Sequence, residues 1–126
     1  MNLEKIAFGF FIVLALTLNF GFFIGDMADV KHHNVYELAM AIVVNLFATI
    51  LKFGDRTQVG ALLLATSLVA NLQLIVAAMV WYSATHVGSN NLVELMPSIV
   101  SLAGGAMLAN VISVLLIVID TAMLRR

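Results

Sequence analysis

Four asparagines, Asn19, Asn45, Asn71 and Asn110, stand inside stretches that are otherwise almost wholly apolar. A carboxamide carries donors and an acceptor but no net charge, and in hydrocarbon it must be turned toward protein or water. Two chemistries fit such a set. The amides can lock one helix to the next, or they can line a neutral polar route along which a cation moves. The segment around Asn45 is the most informative. At about 100° per residue, Glu37, Ala41, Asn45, Ala48, Thr49 and Lys52 fall on one helical face, while Ile42, Val43, Val44, Leu46, Phe47 and Leu51 gather opposite. An acid, an amide, a hydroxyl and an amine therefore follow one another along a single stripe. Asn45, Thr49, Asn71 and Asn110 are the candidate polar path.

A second set lies between the apolar stretches. Asp26, Asp29, His32 and His33 are close in sequence, Glu37 follows, and His86 and Glu94 flank a later turn. Several acids at a pore mouth raise the local cation concentration, so Asp26, Asp29, Glu37 and Glu94 are candidate mouth residues. Carboxylates with imidazoles can also hold a divalent metal, with His32, His33 and His86 the candidate ligands, although their spacing matches no defined metal motif. Two imidazoles from different helices can ligate haem, but these three lie in connections, and no cofactor is expected. The plain alternative is a solvated polar loop that ends a membrane span. The chain has no cysteine, which removes disulfides, thiolate metal sites and cysteine nucleophiles. It has no Gly-rich phosphate loop, Ser–His pair or intramembrane carboxylate dyad, so enzymatic activity is not expected. The net charge of −1 and the scattered basic residues suggest no nucleic-acid partner.

What must position these groups follows from composition. Of 126 residues, 63% are hydrophobic and 10% charged, against about 45–50% and about 25% in soluble domains. A bilayer core of about 30 Å takes about 20 apolar residues as a helix. Residues 6–24, 59–84 and 95–119 each run without a charge, and a shorter run at 38–51 becomes a full span between Val35 and Phe53 if Lys52 snorkels to the surface. Backbone groups in lipid must be satisfied locally, so the spans are helices rather than strands. The expectation is an all-α membrane protein: one integral-membrane domain over residues 1–126, with four transmembrane helices at about 5–25, 35–53, 57–85 and 95–123 in an antiparallel bundle. Pro97 is placed in the first turn of the fourth helix. Lys5, Lys52, Arg56, Arg125 and Arg126 fall on one side and Lys31 alone on the other, which predicts both termini in the cytoplasm. The first span is read as retained, not as a cleaved signal.

Small residues mark packing faces. Gly21 and Gly25 are four apart in helix 1, and Ser101, Gly105, Ala109 and Ser113 repeat every four residues in helix 4. Helix 3 carries two polar edges, Thr66/Gln73 and Ser67/Asn71, and so should touch two neighbours. Polar surface on this scale suggests more helices than one chain owns, hence a homo-oligomer. Asp120, near the inner end of helix 4, is expected to pair with Arg56, Lys52 or Arg125. Trp81, Tyr82 and Tyr36 read as interfacial anchors.

The stretches Gly25-Asp26-Met27-Ala28-Asp29-Val30 and Phe53-Gly54-Asp55-Arg56-Thr57-Gln58 resemble those of small uncharacterised four-span proteins of bacterial inner membranes. The resemblance implies no activity. The chain departs from small multidrug transporters, having no glutamate inside helix 1, and from fluoride channels, having no phenylalanine within residues 62–84. The functional expectation is a small homo-oligomeric protein of the inner membrane that conducts or helps transport a cation. The competing expectation is a non-conducting accessory or assembly subunit of a larger membrane complex.

Overall fold

Each apolar run becomes one helix. The computed structural model describes residues 3–24, 35–55, 57–86 and 92–124. Helix α1 is Leu3–Phe23, α2 Val35–Lys52, α3 Gln58–His86 and α4 Leu92–Leu124. All four are long and apolar enough to cross a membrane, so the chain is a multi-pass membrane protein of the all-α class. Pro97 lies inside α4, not in its first turn, because the helix already begins at Leu92. The ring removes one rung of the hydrogen-bond ladder, a loss that membrane helices tolerate.

The helices form a closed ring. Each packs on its neighbour in sequence, and α4 packs back on α1. One seam per helix faces the centre. On α1 it is Phe8, Ile12, Ala15, Asn19 and Phe22; on α3 it is Gly60, Leu63, Ser67, Ala70, Leu74 and Ala77. These steps alternate between three and four residues, the 3.5-residue period of helices that coil gently round each other. Large apolar side chains off the seam, among them Phe10, Phe20, Phe47 and Leu72, are exposed. In lipid that exposure costs nothing, because acyl chains are as apolar as the side chains.

The core has two parts. Phe22, Leu38, Leu74, Met96, Ile99 and Val100 fill the half remote from the chain termini. Phe8, Ile12, Ala48 and Leu63 fill the half near them. The α2–α3 connection is tight. Gly54 adopts φ 87°, a left-handed conformation that glycine takes without a Cβ penalty and that commonly ends helices.

Candidate functional site

The site is built where the seams carry polar residues. Asn19, Asn45 and Asn110 have no exposed surface, and Asn71 is 5% exposed. Thr49 is buried one turn after Asn45; its hydroxyl donates to the Asn45 carbonyl at 2.8 Å and accepts from the Asn71 Nδ2 at 2.6 Å. This pair ties α2 to α3. Thr66 and Ser113 share a hydrogen bond of 2.5 Å that ties α3 to α4. With its amide nitrogen toward α4, Asn19 donates to the Ala103 carbonyl at 3.2 Å, and its oxygen meets the Met107 N–H at 3.2 Å. The two polar edges of α3 thus reach α2 and α4 of the same chain.

These contacts also set the depth of the remaining amides. Thr49 opposite Asn71 and Thr66 opposite Ser113 stagger the remaining amides through the middle of the bundle: Asn45 lies one turn beyond the Thr49–Asn71 pair, and Asn110 lies about one turn from Ser113. The Asn45 amide, the Asn110 amide, the Asn71 Oδ1 and the Ser67 Oγ are buried without a hydrogen-bond partner. A buried polar group left unpaired costs about 1–3 kcal/mol, and nearly all such groups in folded proteins are paired. Their concentration along the middle of the bundle singles out this region.

Around it, polar side chains lean on glycines. The Glu37 carboxylate lies against Gly21, and the Gln73 amide lies against Gly105, each occupying the space a Cβ would need. The two glycines make room for polar side chains. Ala109 is buried in the α4 seam, but Ser101 is exposed. Within this chain the expected stripe packs at Ala109 and not at Ser101. Each step of four residues rotates about 40° round a helix, so Ser101 has left the face on which Ser113 is buried. The stripe on α2 also shifts: Ala41, Asn45, Ala48, Thr49 and Lys52 are buried and Glu37 is half-buried, yet Val44, expected outside, is buried with them.

At the end of the bundle holding the chain termini, a cavity of about 370 Å³ opens between the helix ends. Its lining includes Lys5, Phe8, Lys52, Asp55 and Asp120. Lys52 does not snorkel outward. It is 4% exposed, its Nζ 4.6 Å from the Phe8 ring centroid and 3.5 Å from the Asp55 Oδ2. Asp120 pairs with Lys5 at 3.8 Å. This corrects the expected pairing of Asp120 with Lys52; Arg56 and Arg125 lie outside the described residues. Asp55 accepts from the Thr57 N–H at 2.9 Å and from its hydroxyl at 2.7 Å. Those bonds, aided by the Lys52 charge, hold its carboxyl below the ordinary value of 3.8. From sequence, Lys5 entered only the topology, and Asp55 and Thr57 entered only as part of the turn between helices 2 and 3, with no role in a site. The signal lay in the topology itself: the start of α1, the α2–α3 turn and the end of α4 share one end of an antiparallel bundle.

Of the candidate mouth residues, Glu94 is exposed on the first turn of α4, and Asp26 and Asp29 lie outside the described residues, as do Gly25, His32 and His33. His86 is exposed, stacked on Tyr82 at 4.5 Å, with its Nδ1 2.7 Å from the Thr85 hydroxyl. Among the described residues no three His, Asp or Glu side chains are grouped to hold a metal ion. No curated protein and no solved structure matches the chain. Residues 32–121, which include Asn45, Asn71, Asn110 and the α2–α3 turn, match the profile of a family of unknown function, DUF6394, and the chain belongs to that family.

Proposed function

We propose that the chain is a transport protein of the bacterial inner membrane, with both termini in the cytoplasm, that carries a small cation through the centre of its own bundle. The observation supporting this reading is the series of buried side chains Asn45, Asn71, Asn110 and Ser67 along the bundle interior, with their unpaired polar atoms. Four of those atoms are oxygens (one each from Asn45, Asn71, Asn110 and Ser67) and two are amide nitrogens. Carbonyl and hydroxyl oxygens can replace the hydration shell of a hard cation in a low-dielectric interior. The amides face inward within one chain, so in a homo-oligomer each copy carries its own path. The excess of Lys and Arg at the terminus side supports the orientation.

One observation favours the non-conducting accessory role. Phe22, Leu38, Leu74, Met96 and Ile99 close the remote half of the bundle with apolar side chains. Purified protein in liposomes decides between the two. Transport predicts flux of a monovalent cation that falls in Asn45→Ala and Asn110→Ala. Absence of flux under any gradient or voltage overturns the transport reading.

A further inference from the structure

The terminus-side cavity holds a charge arrangement that neither the buried amides nor the fold accounts for. Lys52 is among the residue types least often fully buried, yet only 4% of it is exposed. An ammonium has three donors. It makes one long hydrogen bond of 3.5 Å to the Asp55 Oδ2 and lies over the Phe8 ring, while Asp55 turns its other oxygen to the backbone and hydroxyl of Thr57. Across the same cavity Lys5 stands 3.8 Å from Asp120, again at arm's length. Two lysines thus line one cavity, each held loosely by a carboxylate. Phe8, Val59, Leu63 and Ile117 supply apolar wall beside them. The cavity volume of about 370 Å³ falls within the roughly 300–1,000 Å³ typical of ligand pockets.

Depth points to the ligand. Lys5 lies in the first turn of α1 and Lys52 is the last residue of α2. Both stand where a span ends and the headgroup layer begins, the level at which lipid phosphates lie. We propose that this cavity binds the phosphodiester of a membrane phospholipid, with the Lys52 and Lys5 ammonium groups on the phosphate oxygens and the apolar wall against the glycerol and the start of the acyl chains. Charge-assisted bonds to phosphate oxygens are shorter and stronger than either ion pair seen here. Asp55 and Asp120 remain beside the site, so a headgroup that also carries an amine is accommodated.

Native mass spectrometry of the full chain in detergent, titrated with phosphatidylglycerol, phosphatidylcholine and inorganic phosphate, tests this. One phospholipid per chain is retained, with either headgroup, and inorganic phosphate at the same concentration does not displace it. Lys52→Met and Lys5→Met each weaken retention by about tenfold, as expected for the loss of one charge-assisted bond. Lys5 is well exposed at the helix end, so its variant keeps the fold should Lys52→Met fail to assemble. Asp120→Asn releases Lys5 and strengthens retention, a result that a merely structural ion pair would not give. Retention unchanged in both lysine variants overturns the proposal, as does weakening in Asp120→Asn or displacement by inorganic phosphate. Lipid retention is read without any flux, so failure here and failure of the transport reading are separate results.

Discussion

Asn71 and Asn110 are both buried in the bundle interior but differ in what they hold. Asn71 donates to the Thr49 hydroxyl at 2.6 Å and joins two helices; the Asn110 amide is buried without a partner at either end. Removing a made interhelical bond in a membrane costs about 0.6–1 kcal/mol. Removing an unpaired buried amide relieves a desolvation cost instead. Asn71→Ala should therefore lower the melting temperature in detergent, while Asn110→Ala leaves it unchanged or raises it. If the transport reading holds, both variants lose flux. A stabilised Asn110→Ala that conducts less cation would mark an amide kept for function at the expense of stability. Equal destabilisation by both variants would mean that Asn110 has a partner in the folded protein.

The α2–α3 turn is the element whose local chemistry is most fully specified. Gly54 turns the chain, Asp55 accepts two bonds from Thr57, and the Thr57 hydroxyl accepts from the Gly60 N–H at 2.9 Å, capping α3. A Cβ on Gly60 would collide with the Asp55 carboxylate, whereas one on Gly9 meets nothing. Gly9→Ala should be neutral or stabilising by up to about 1 kcal/mol. Gly60→Ala should destabilise, since Asp55 is short and held by Thr57. The turn also predicts a pH dependence. The Asp55 carboxyl is held below its ordinary value of 3.8, so its contribution is fully present above that value and is lost as pH falls through the lowered folded value. Thermal melts between pH 3 and pH 7 should show this acid loss, and Asp55→Asn should remove it. The elements themselves were legible in the sequence because lipid leaves little choice: an uncharged run of span length is a helix, and an amide within it turns inward. Details resting on the turns between residues were less so. A four-residue repeat looks like a stripe on paper, yet its drift carried Ser101 to the outside. The partner of Asp120 depended on the relative depth of α1 and α4, which no single span encodes.

At the scale of the molecule, the bundle is asymmetric along its axis. The half near the termini holds the cavity, Lys52 and the Thr49–Asn71 pair, and the remote half is filled by Phe22, Leu38, Leu74, Met96, Ile99 and Val100. Water can approach the amides far more readily from the terminus side, because filling an apolar seal with water gives that water no hydrogen-bond partners. The chain contains no cysteine, so single cysteines report cleanly. At positions 52, 49 and 45 they should react with a water-soluble thiol reagent added on the side of the termini, with reactivity falling from 52 to 45. At positions 38 and 41 they should be protected from both sides, since Leu38 and Ala41 belong to the remote core. The pattern separates three architectures. Labelling graded from one side fits a closed transporter or a gated path sealed at its far end. Labelling of 38 and 41 from the far side would mean that the apolar half opens into a continuous pore. Protection of 45, 49 and 52 alike would leave the amides as packing alone. A permeant cation that shields position 45 while position 52 still reacts would place its binding at the asparagines, deeper than the cavity.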